Sequence, residues 1–406
     1  MWKSDELSIE ELDSKNFTSN NTTAPTEKQA ILTHYLQHSK GEVGPHYKKD
    51  ALAVLDDYLN FKKEVSLNQK ETIKHLSAKI NTIPFPTSTQ TNFNFIDLFA
   101  GIGGFRLAMQ NIGGKCVFTS EWDKNAKKTY FKNYGEVPFG DITLQEVKDY
   151  IPEKFDILCG GFPCQAFSIA GYQKGFSETR GTLFFDIERI VEKHRPKVVF
   201  LENVKNLVSH DKGNTFKTIV KTLEQKLGYK VATKVLNSMK HANVPQNRER
   251  IFIIAFDPKQ VKNYDNFKFP NEIELTKTIA DFIDCQKQDD KYYYAKTHQY
   301  YPELEKTVTK RDTVYQWRRV YVRENKSNVC PTLTANMGSG GHNVPIIKDD
   351  FGIRKLTPKE CFAFQGYPME KFVLPPIANG KLYMQAGNSV TTPLIERIGR
   401  EILKVL

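Results

Sequence analysis

One strand and the turn after it decide the fold, and they read Phe155-Asp-Ile-Leu-Cys-Gly-Gly-Phe-Pro-Cys164. The apolar run predicts a short buried strand of a parallel sheet. Residues after such a strand lie at the carboxyl edge of the sheet, where open α/β folds bind ligands. Because Pro163 fixes its own φ and favours an extended residue before it, Cys164 is expected on a stiff backbone. A lone cysteine is by default a buried structural residue, so its role depends on the rest of the chain.

A strand, a glycine turn and the start of a helix are predicted upstream, at Phe93–Phe99, Ala100–Gly104 and Phe105–Asn111. This order is how Rossmann-like units bring backbone N–H groups and a helix N-terminus to a nucleotide-like ligand. Glycines are ordinary turn residues, so the turn alone is a weak signal. Polar residues at the ends of the neighbouring strands are needed to strengthen it.

Acidic residues follow the next two predicted strands. The strand Lys115–Ser120 is followed by Glu121 and Trp122, and a third strand is predicted to end at Gly140-Asp141-Ile142. A carboxylate at this edge can accept hydrogen bonds from ribose hydroxyls, and an indole can cover an adenine face. Asp141 can accept from an adenine amino group. The alternative is a surface acid beside core aromatic residues.

Charged residues also adjoin two later strands. Glu202 follows the predicted strand Lys197–Leu201, which places its carboxyl group at the same kind of edge. Arg248 and Arg250 precede a predicted strand at Ile251–Phe256. For the two arginines, a surface or phosphate-binding role is the alternative to a role in a site.

The cysteine turn has a specific family resemblance. Phe162-Pro163-Cys164-Gln165 resembles the catalytic motif of the DNA cytosine-5 methyltransferases, and five other segments resemble that family's motifs in the family's order. The five segments are Phe95-Ile-Asp-Leu-Phe-Ala-Gly-Ile-Gly-Gly104, Glu202-Asn-Val204, Gln246-Asn-Arg-Glu-Arg250, Arg354-Lys-Leu-Thr-Pro-Lys-Glu360 and Gln385-Ala-Gly-Asn-Ser-Val390. The resemblance runs from about Phe93 to the C-terminus and excludes the first ninety or so residues.

The resemblance implies methyl transfer from S-adenosylmethionine to C5 of a cytosine in double-stranded DNA, through a covalent bond from Cys164 to C6. Only the thiolate attacks, so activation of Cys164 by positive charge or a helix dipole is expected. Glu202 is implied beside ring N3, with Asn203 supporting its loop. Arg250 is implied at the cytosine O2, and Arg248 close to it. The cytosine must be flipped out of the duplex to be reached.

A residue-by-residue match to the family assigns further contacts. The implied cofactor contacts are Phe99, Ala100, Gly101, Gly103, Gly104, Glu121, Trp122, Asp141, Ile142, Pro163, Asn388 and Ser389. The implied DNA contacts are Gln165, Ser168, Arg180, Thr332 and Thr334. In the family, the loop that here spans Ser168–Ser177 closes over the flipped base. No metal site is implied.

The character of the chain changes between about residues 270 and 383, where aromatic and basic residues mix. Alternation predicts one strand with a basic face from Val314 to Val322. Pro331–Ala335 and Met337–His342 resemble the family's target-recognition element and its glycine-rich loop. A small domain that reads the major groove is implied. The alternative is an ordinary small β domain with a basic rim.

The first 92 residues are predicted to be a helical extension. Three helices are indicated by apolar residues around Leu32, Leu55 and Leu76. They could form a helix-turn-helix, but packing on the main domain is the interpretation we favour. The polar stretch from Thr87 to Asn92 predicts a boundary that few contacts cross.

Composition is consistent with this interpretation. A chain of 406 residues suggests two or three domains, and a formal net charge of +11 suits a polyanionic partner. The six cysteines lack zinc or disulfide spacing. No apolar run is long enough to span a bilayer, and Met1–Glu10 is too acidic for a signal peptide. A soluble protein of a reducing bacterial cytoplasm, with no membrane partner, is expected.

The fold class expected is α/β: a Rossmann-like large domain of an S-adenosylmethionine-dependent methyltransferase at residues 93–269, a smaller, mainly β target-recognition domain at 270–383, and the helical N-terminal extension at 1–92. Residues 384–406 are expected to return to the large domain, with a closing helix from Pro393.

The partners expected are double-stranded DNA and a restriction endonuclease that acts on the same site without direct binding. The chain is expected to be a monomer. The alternative functions are a transfer-RNA cytosine-5 methyltransferase and a catalytically silent DNA-binding regulator.

Overall fold

The computed structural model describes residues 27–62, 68–87, 90–163, 183–318, 321–339 and 343–406, together with Ile9 and Leu12. The chain divides into a first unit, Met1–Phe200, and a second unit, Leu201–Leu406. A six-stranded sheet has the order β2-β1-β3-β4-β7-β5, and the division falls within strand β4, Val198–Val204. The other strands of this sheet are β1 Phe93–Leu98, β2 Gly114–Ser120, β3 Ile157–Gly161, β5 Lys230–Asn237 and β7 Glu249–Phe256.

Parallel pairing organises the strands of the first unit. Strand β1 lies between β2 and β3 and pairs in parallel with both. Nearly every residue of these strands is buried, because both faces of the sheet are covered, and this explains why their sequences are largely apolar. The three strands predicted here are confirmed.

The helices of the first unit include the three predicted in the N-terminal extension. Within the described residues, the α-helices of this unit are α1 Lys28–His38, α2 Gly44–Lys62, α3 Gln69–Asn81, α4 Gly104–Asn111, α5 Lys124–Tyr134, α6 Gln145–Lys148 and α7 Leu183–His194, of which α1 to α3 are the three predicted. Helix α3 begins where the Asn68 side chain accepts a hydrogen bond from the backbone N–H of Glu71, which satisfies one of the free amides of a helix start.

The N-terminal helices pack on the rest of the first unit, as the sequence favours. The Tyr47 hydroxyl donates to the Val117 carbonyl of β2 over 2.7 Å, and Tyr47 is fully buried. The Tyr150 hydroxyl donates to Asp50 over 2.9 Å. The expectation that few contacts would cross the polar stretch from 87 to 92 is therefore wrong. The polar composition of this stretch describes only the linker itself. The contacts are made by the elements that precede and follow it in the chain.

The strand predicted before Asp141 is also wrong. Only an isolated bridge between Ser120 and Phe139 forms there. Pro138 has no backbone N–H to donate to a ladder, so pairing does not extend along the segment.

The second unit contributes an antiparallel pair to the large sheet. Strand β5 runs antiparallel to β7 from Lys230 opposite Phe256 to Asn237 opposite Glu249. The strands predicted at 197–201 and 251–256 are confirmed, but both are longer than predicted. Glu202 and Arg250 therefore lie inside β4 and β7 and not beyond their ends. The helices in this part are α8 Asn214–Lys221 and α9 Ser238–His241.

A second, four-stranded sheet has the order β12-β11-β8-β9. Its strands are β8 Tyr315–Arg318, β9 Tyr321–Glu324, β11 Ile346–Lys348 and β12 Ile353–Lys355, and a separate short pair joins β6 Gln246–Asn247 to β10 Cys330–Pro331. The single strand predicted from 314 to 322 is wrong, because β8 and β9 are antiparallel partners, with Trp317 opposite Val322. The connecting residues, 319–320, lack the Gly, Asn or Asp that is typical of a hairpin turn. The alternation of residues therefore predicted one continuous strand.

The small sheet has its own apolar core. The buried members are Leu304, Val308, Tyr315, Val322, Ile346 and Ile353. Four helices complete the described part of the unit: α10 Tyr301–Thr307, α11 Pro358–Ala363, α12 Asn379–Asn388 and α13 Thr392–Leu403. The predicted closing helix is confirmed as α13. Among the described residues, no helix is both long and apolar enough to cross a membrane.

Candidate active site

The turn after β1 has an unusual backbone. Phe99, Gly101 and Gly103 all have positive φ angles, of 56°, 57° and 84°. A Cβ on Gly101 would meet no atom of the described residues within 4 Å, so the backbone here borders open space in that part of the chain. A Cβ on Gly103 would instead collide with the Tyr134 ring, so this glycine is needed for packing. The open turn leaves room for a ligand to approach the main chain, while the start of α4 behind it is fixed.

Glu121 connects this turn to the end of β2. Its buried carboxylate accepts hydrogen bonds from the backbone N–H of Gly101 over 2.7 Å and of Asp123 over 2.8 Å. Burial raises the pKa of Glu121, and these backbone donors oppose that shift. The neighbouring Trp122 is 80 % exposed, which is unusual for so large an apolar ring. An exposed indole beside an open glycine turn suits the face of a planar ligand.

Asp141 lies on the segment that pairs with this edge. The backbone N–H of Glu121 donates to the Phe139 carbonyl over 2.8 Å, which ties the two acidic residues to one region. Asp141 is exposed and accepts from the Thr143 N–H over 2.9 Å, while Ile142 is buried. The first unit thus gathers the cofactor residues expected at 99–104, 121–122 and 141–142 at the carboxyl ends of β1 and β2. This set fits a nucleoside-bearing cofactor, since it offers open backbone, carboxylates and an aromatic face.

The turn after β3 is described only in part. Phe162 is buried and Pro163 is exposed, and they follow β3 directly. The expected nucleophile Cys164, the expected DNA contacts Gln165, Ser168 and Arg180, and the loop at 168–177 all lie outside the described residues. Their roles remain expectations from the sequence.

Glu202 and Arg250 form a buried ion pair in the second unit. The Arg250 Nε lies 2.9 Å from the Glu202 Oε1, and both side chains are largely removed from solvent. Burial raises the pKa of Glu202, while Arg250 and then Arg248 act to lower it. A carboxyl group in this balance can hold a proton closer to neutral pH than an ordinary glutamate does. Asn203 accepts a hydrogen bond from the Val204 N–H and stabilises the end of β4.

Arg248 is fully buried, which rules out a surface or phosphate-binding role for it. Its terminal nitrogens donate to three main-chain carbonyls: to Leu333 over 2.8 Å, to Gly387 over 3.2 Å and to Ser389 over 2.5 Å. It therefore ties two later segments to the start of β7.

The later expected residues lie around those segments. Ser389 is buried, with its hydroxyl 2.7 Å from that of Tyr367, whereas Asn388 is exposed at the end of α12. Thr332 is half-buried and donates to the Asn247 carbonyl over 2.6 Å, whereas Thr334 is exposed and donates to the side chain of Asn336.

Two buried acidic side chains of the first unit, Asp97 and Glu136, were not predicted from the sequence. Asp97 is buried within β1, and burial raises its pKa to about 8, against the opposing influence of Arg106. Glu136 is fully buried and pairs with Arg106 over 2.8 Å and with His34 and His38 over 3.5 Å each. The one available signal for Asp97 was a charged residue inside the apolar run of a parallel strand. No local pattern marks Glu136, since its partners lie 30 and about 100 residues away.

Comparison with known proteins identifies the family. The model of the C-5 cytosine-specific DNA methylase family matches residues 93–404. The Type II methyltransferase M.Bsp6I of Bacillus sp. (strain RFL6) is 52 % identical over 312 residues, which cover 76 % of this chain and 97 % of that protein. The Type II methyltransferase M.HpaII of Haemophilus parainfluenzae is 45 % identical over 329 residues, covering 77 % of this chain and 90 % of that protein.

A solved structure agrees at the level of the fold. The crystal structure of the S. pombe Dnmt2 methyltransferase superposes with a TM-score of 0.59 at 17 % identity, covering 77 % of this chain and 98 % of that one. The matched family region begins at β1 and contains the glycine turn, Glu121, Glu202 and Arg250. The chain belongs to the family of C-5 cytosine-specific DNA methylases.

Proposed function

We propose that this chain is a DNA (cytosine-5-)-methyltransferase that modifies one cytosine within a short specific sequence of double-stranded DNA, as the modification enzyme of a Type II restriction-modification system. The observation that carries the proposal is the buried Glu202–Arg250 pair in the matched family region. The relatives M.Bsp6I and M.HpaII are Type II methyltransferases, which supports the restriction-modification role.

The proposed chemistry begins at Cys164, by its match to the family motif. The thiolate adds to cytosine C6, which makes C5 nucleophilic; the sulfonium of bound S-adenosylmethionine supplies the methyl group. Loss of the C5 proton and cleavage of the S–C6 bond then release the product. A flipped-out base is required, because neither ring carbon is reachable within the duplex.

Glu202 and Arg250 are proposed to hold the base during this addition. A protonated Glu202 can donate a hydrogen bond to ring N3, which offsets the charge that develops as the thiolate adds. Its raised pKa favours the proton that this role needs. Arg250, whose Nε lies 2.9 Å from Glu202, keeps the carboxyl oriented and is proposed to contact the cytosine O2. Arg248 is proposed to support the pair through its backbone bonds.

The cofactor is proposed to bind at the open glycine turn of the first unit. The backbone around Gly101 and the carboxylate of Glu121 would hold its amino acid and ribose parts, and Trp122 and Asp141 its adenine. The remaining cofactor residues expected from the sequence, among them Pro163, Asn388 and Ser389, stay in the proposal on their match to the family motifs alone.

DNA recognition is proposed for the region from 270 to 383, which contains the four-stranded sheet. Arg318 and Arg323 on β8 and β9 are exposed, and both donate to the side-chain oxygen of Gln316. Two guanidinium groups gathered on one face suit phosphate oxygens or base edges. Thr332 and Thr334 are proposed to contact DNA from the loop after β10. A restriction endonuclease that acts on the same site without direct binding, a monomeric chain and a bacterial cytoplasmic location belong to the same proposal.

Bisulfite sequencing tests the proposal, because it reports substrate, reaction and site together. Plasmid DNA incubated with the protein and S-adenosylmethionine is expected to gain 5-methylcytosine at one fixed position of a short sequence. The matched control is Cys164→Ser, which is expected to leave all cytosines unmodified. DNA that stays unmethylated with the folded parent protein, or methylation scattered over unrelated sequences, would contradict the proposal.

A further inference from the structure

The segment that leads to Asp141 is held by the N-terminal helices. Between residues 133 and 140, four backbone groups bond to the extension that precedes β1. The bonds run from Phe85 N to Asn133 O over 3.0 Å, from Gln37 Nε2 to Tyr134 O over 3.3 Å, from Val137 N to Thr33 Oγ1 over 3.0 Å and from Gly140 N to Glu27 Oε2 over 3.0 Å. The segment therefore depends on the extension for hydrogen bonds that its own neighbours do not supply.

Glu27 makes the bond nearest to Asp141. It occupies the N-cap position of α1, yet its side chain does not cap that helix. The carboxylate instead accepts from Gly140 and lies 3.7 Å from the Lys127 Nζ. A Cβ on Gly140 would come within 2.5 Å of the Glu27 Oε1, so the glycine permits this close approach. Glu27, at the N-cap of α1, therefore holds the segment before Asp141 and does not cap its own helix.

Buried polar and charged side chains reinforce the same attachment. Glu136 lies in the middle of the segment, fully buried between His34 and His38 of α1 on one side and Arg106 of α4 on the other. Phe139 packs beside the His34 ring, with 4.7 Å between ring centroids. Residues of α1 and its N-cap therefore contact both the side chains and the backbone of this segment.

The opposite side of the segment bonds to the end of β2. Phe139 donates its N–H to the Thr119 carbonyl and accepts from the Glu121 N–H, both over 2.8 Å. A shift of the segment would therefore move Asp141 directly and disturb Glu121 through this pairing. Asp141, on the adenine side of the proposed cofactor site, and Glu121, on its ribose side, are therefore both positioned by this segment.

We propose that helix α1 is a positioning element of the cofactor site, with Glu27 and Thr33 as positioning residues that hold Asp141 and Glu121 in place. The match to the family model begins at residue 93, so it assigns nothing to this helix. The inference rests on the proposed function, because it takes Asp141 and Glu121 as cofactor contacts.

The test measures binding of S-adenosylmethionine to full-length variants by isothermal titration calorimetry. Glu27→Ala removes the acceptor for the Gly140 N–H, and Thr33→Val removes the acceptor for the Val137 N–H at nearly constant volume. Each variant is expected to weaken cofactor binding by about fivefold to tenfold, the scale of one lost hydrogen bond. The KM for S-adenosylmethionine is expected to rise by the same factor, with kcat at saturating cofactor and the KM for DNA unchanged.

Two variants separate positioning from general stability. Glu27→Gln keeps an oxygen that can accept from Gly140, so its cofactor affinity is expected within about twofold of the parent. Glu71→Ala removes an exposed carboxylate from α3, within the same extension, and is expected to bind the cofactor as the parent does. Circular dichroism at the assay temperature shows whether each variant is folded.

The outcomes distinguish this inference from the proposed function. Folded Glu27→Ala and Thr33→Val proteins that bind S-adenosylmethionine as tightly as the parent would overturn the role of α1, and so would an equal loss in Glu71→Ala. If Thr33→Val does not fold, Glu27→Ala and its Gln control decide the matter. A parent protein that does not bind S-adenosylmethionine at all would instead refute the proposed function.

Discussion

At the residue scale, the same physical effect, burial of a carboxyl group, serves two different purposes. Glu202 is buried beside Arg250. Burial raises its pKa and the positive charge of Arg250 opposes that rise, so the carboxyl group can give up its proton to an acceptor. Asp97 is buried within β1, where the opposing influence of Arg106 is too weak to prevent a pKa of about 8. The first arrangement suits chemistry, and the second costs stability.

Asp97 should make the stability of the parent protein depend on pH. The folded-state pKa of Asp97, about 8, exceeds its unfolded value. The contribution of its bound proton to the stability of the folded state is therefore complete below about pH 4 and is lost as the pH rises to 8. Within this range its share of the unfolding free energy falls by up to about 1.4 kcal/mol per pH unit. Asp97→Asn is expected to remove that share, so the variant gains stability relative to the parent as the pH increases. Urea unfolding of both proteins at about pH 5, 6, 7 and 8 measures the difference, and parallel profiles would refute the assigned pKa.

At the element scale, the sequence predicted what depends on local patterns. The strands β1 to β4 were predicted because strands buried on both faces are mostly apolar. The β8–β9 hairpin was missed because its two connecting residues carry no turn signal and the alternation continues across them. The strand before Asp141 was wrongly predicted because Pro138 has no N–H to donate to a strand ladder and interrupts the pairing there. The Glu136 cluster joins residues about 100 positions apart, which no local pattern can report.

Helix α1 and its neighbours should be indispensable to the first unit. Tyr47, Tyr58 and Leu55 are fully buried or nearly so, and Glu136 would lose both of its histidine partners if α1 were absent. Deletion of residues 1–86 is therefore expected to lower the midpoint of thermal unfolding sharply or to make the protein insoluble, because it exposes an apolar face and a buried charge.

The competing explanation for the extension is contact with DNA phosphates through its lysines. The salt dependence of DNA binding separates the two on whatever truncated protein stays soluble. Lost packing leaves the slope of log affinity against log salt unchanged, whereas lost phosphate contacts make it shallower. A truncated protein with an unchanged unfolding midpoint and a shallower slope would show that the extension serves DNA and does not support the fold.

At the scale of the whole molecule, family motifs that are far apart in sequence carry the functional assignment. Arg248 joins the start of β7 to the segments at Leu333 and Ser389, so motifs separated by 85 and 141 residues meet on one guanidinium group. The order of these motifs identified the family from the sequence, and the site residues assigned from the same motifs stay predictions. The buried contacts that support them, such as those of Arg248 and Glu27, needed the three-dimensional arrangement.

Trapping of the covalent intermediate tests the central claim most directly. A long DNA duplex in which 5-fluorocytosine replaces cytosine contains the target site whatever its sequence, and fluorine at C5 cannot leave as a proton does. With S-adenosylmethionine, the parent protein is expected to form an adduct that survives denaturation and carries DNA on Cys164 by mass spectrometry of the digested complex. Cys164→Ser is expected to form none while keeping its affinity for DNA. An adduct that persists in Cys164→Ser, or its absence from a folded parent protein that binds both DNA and S-adenosylmethionine, would contradict the account.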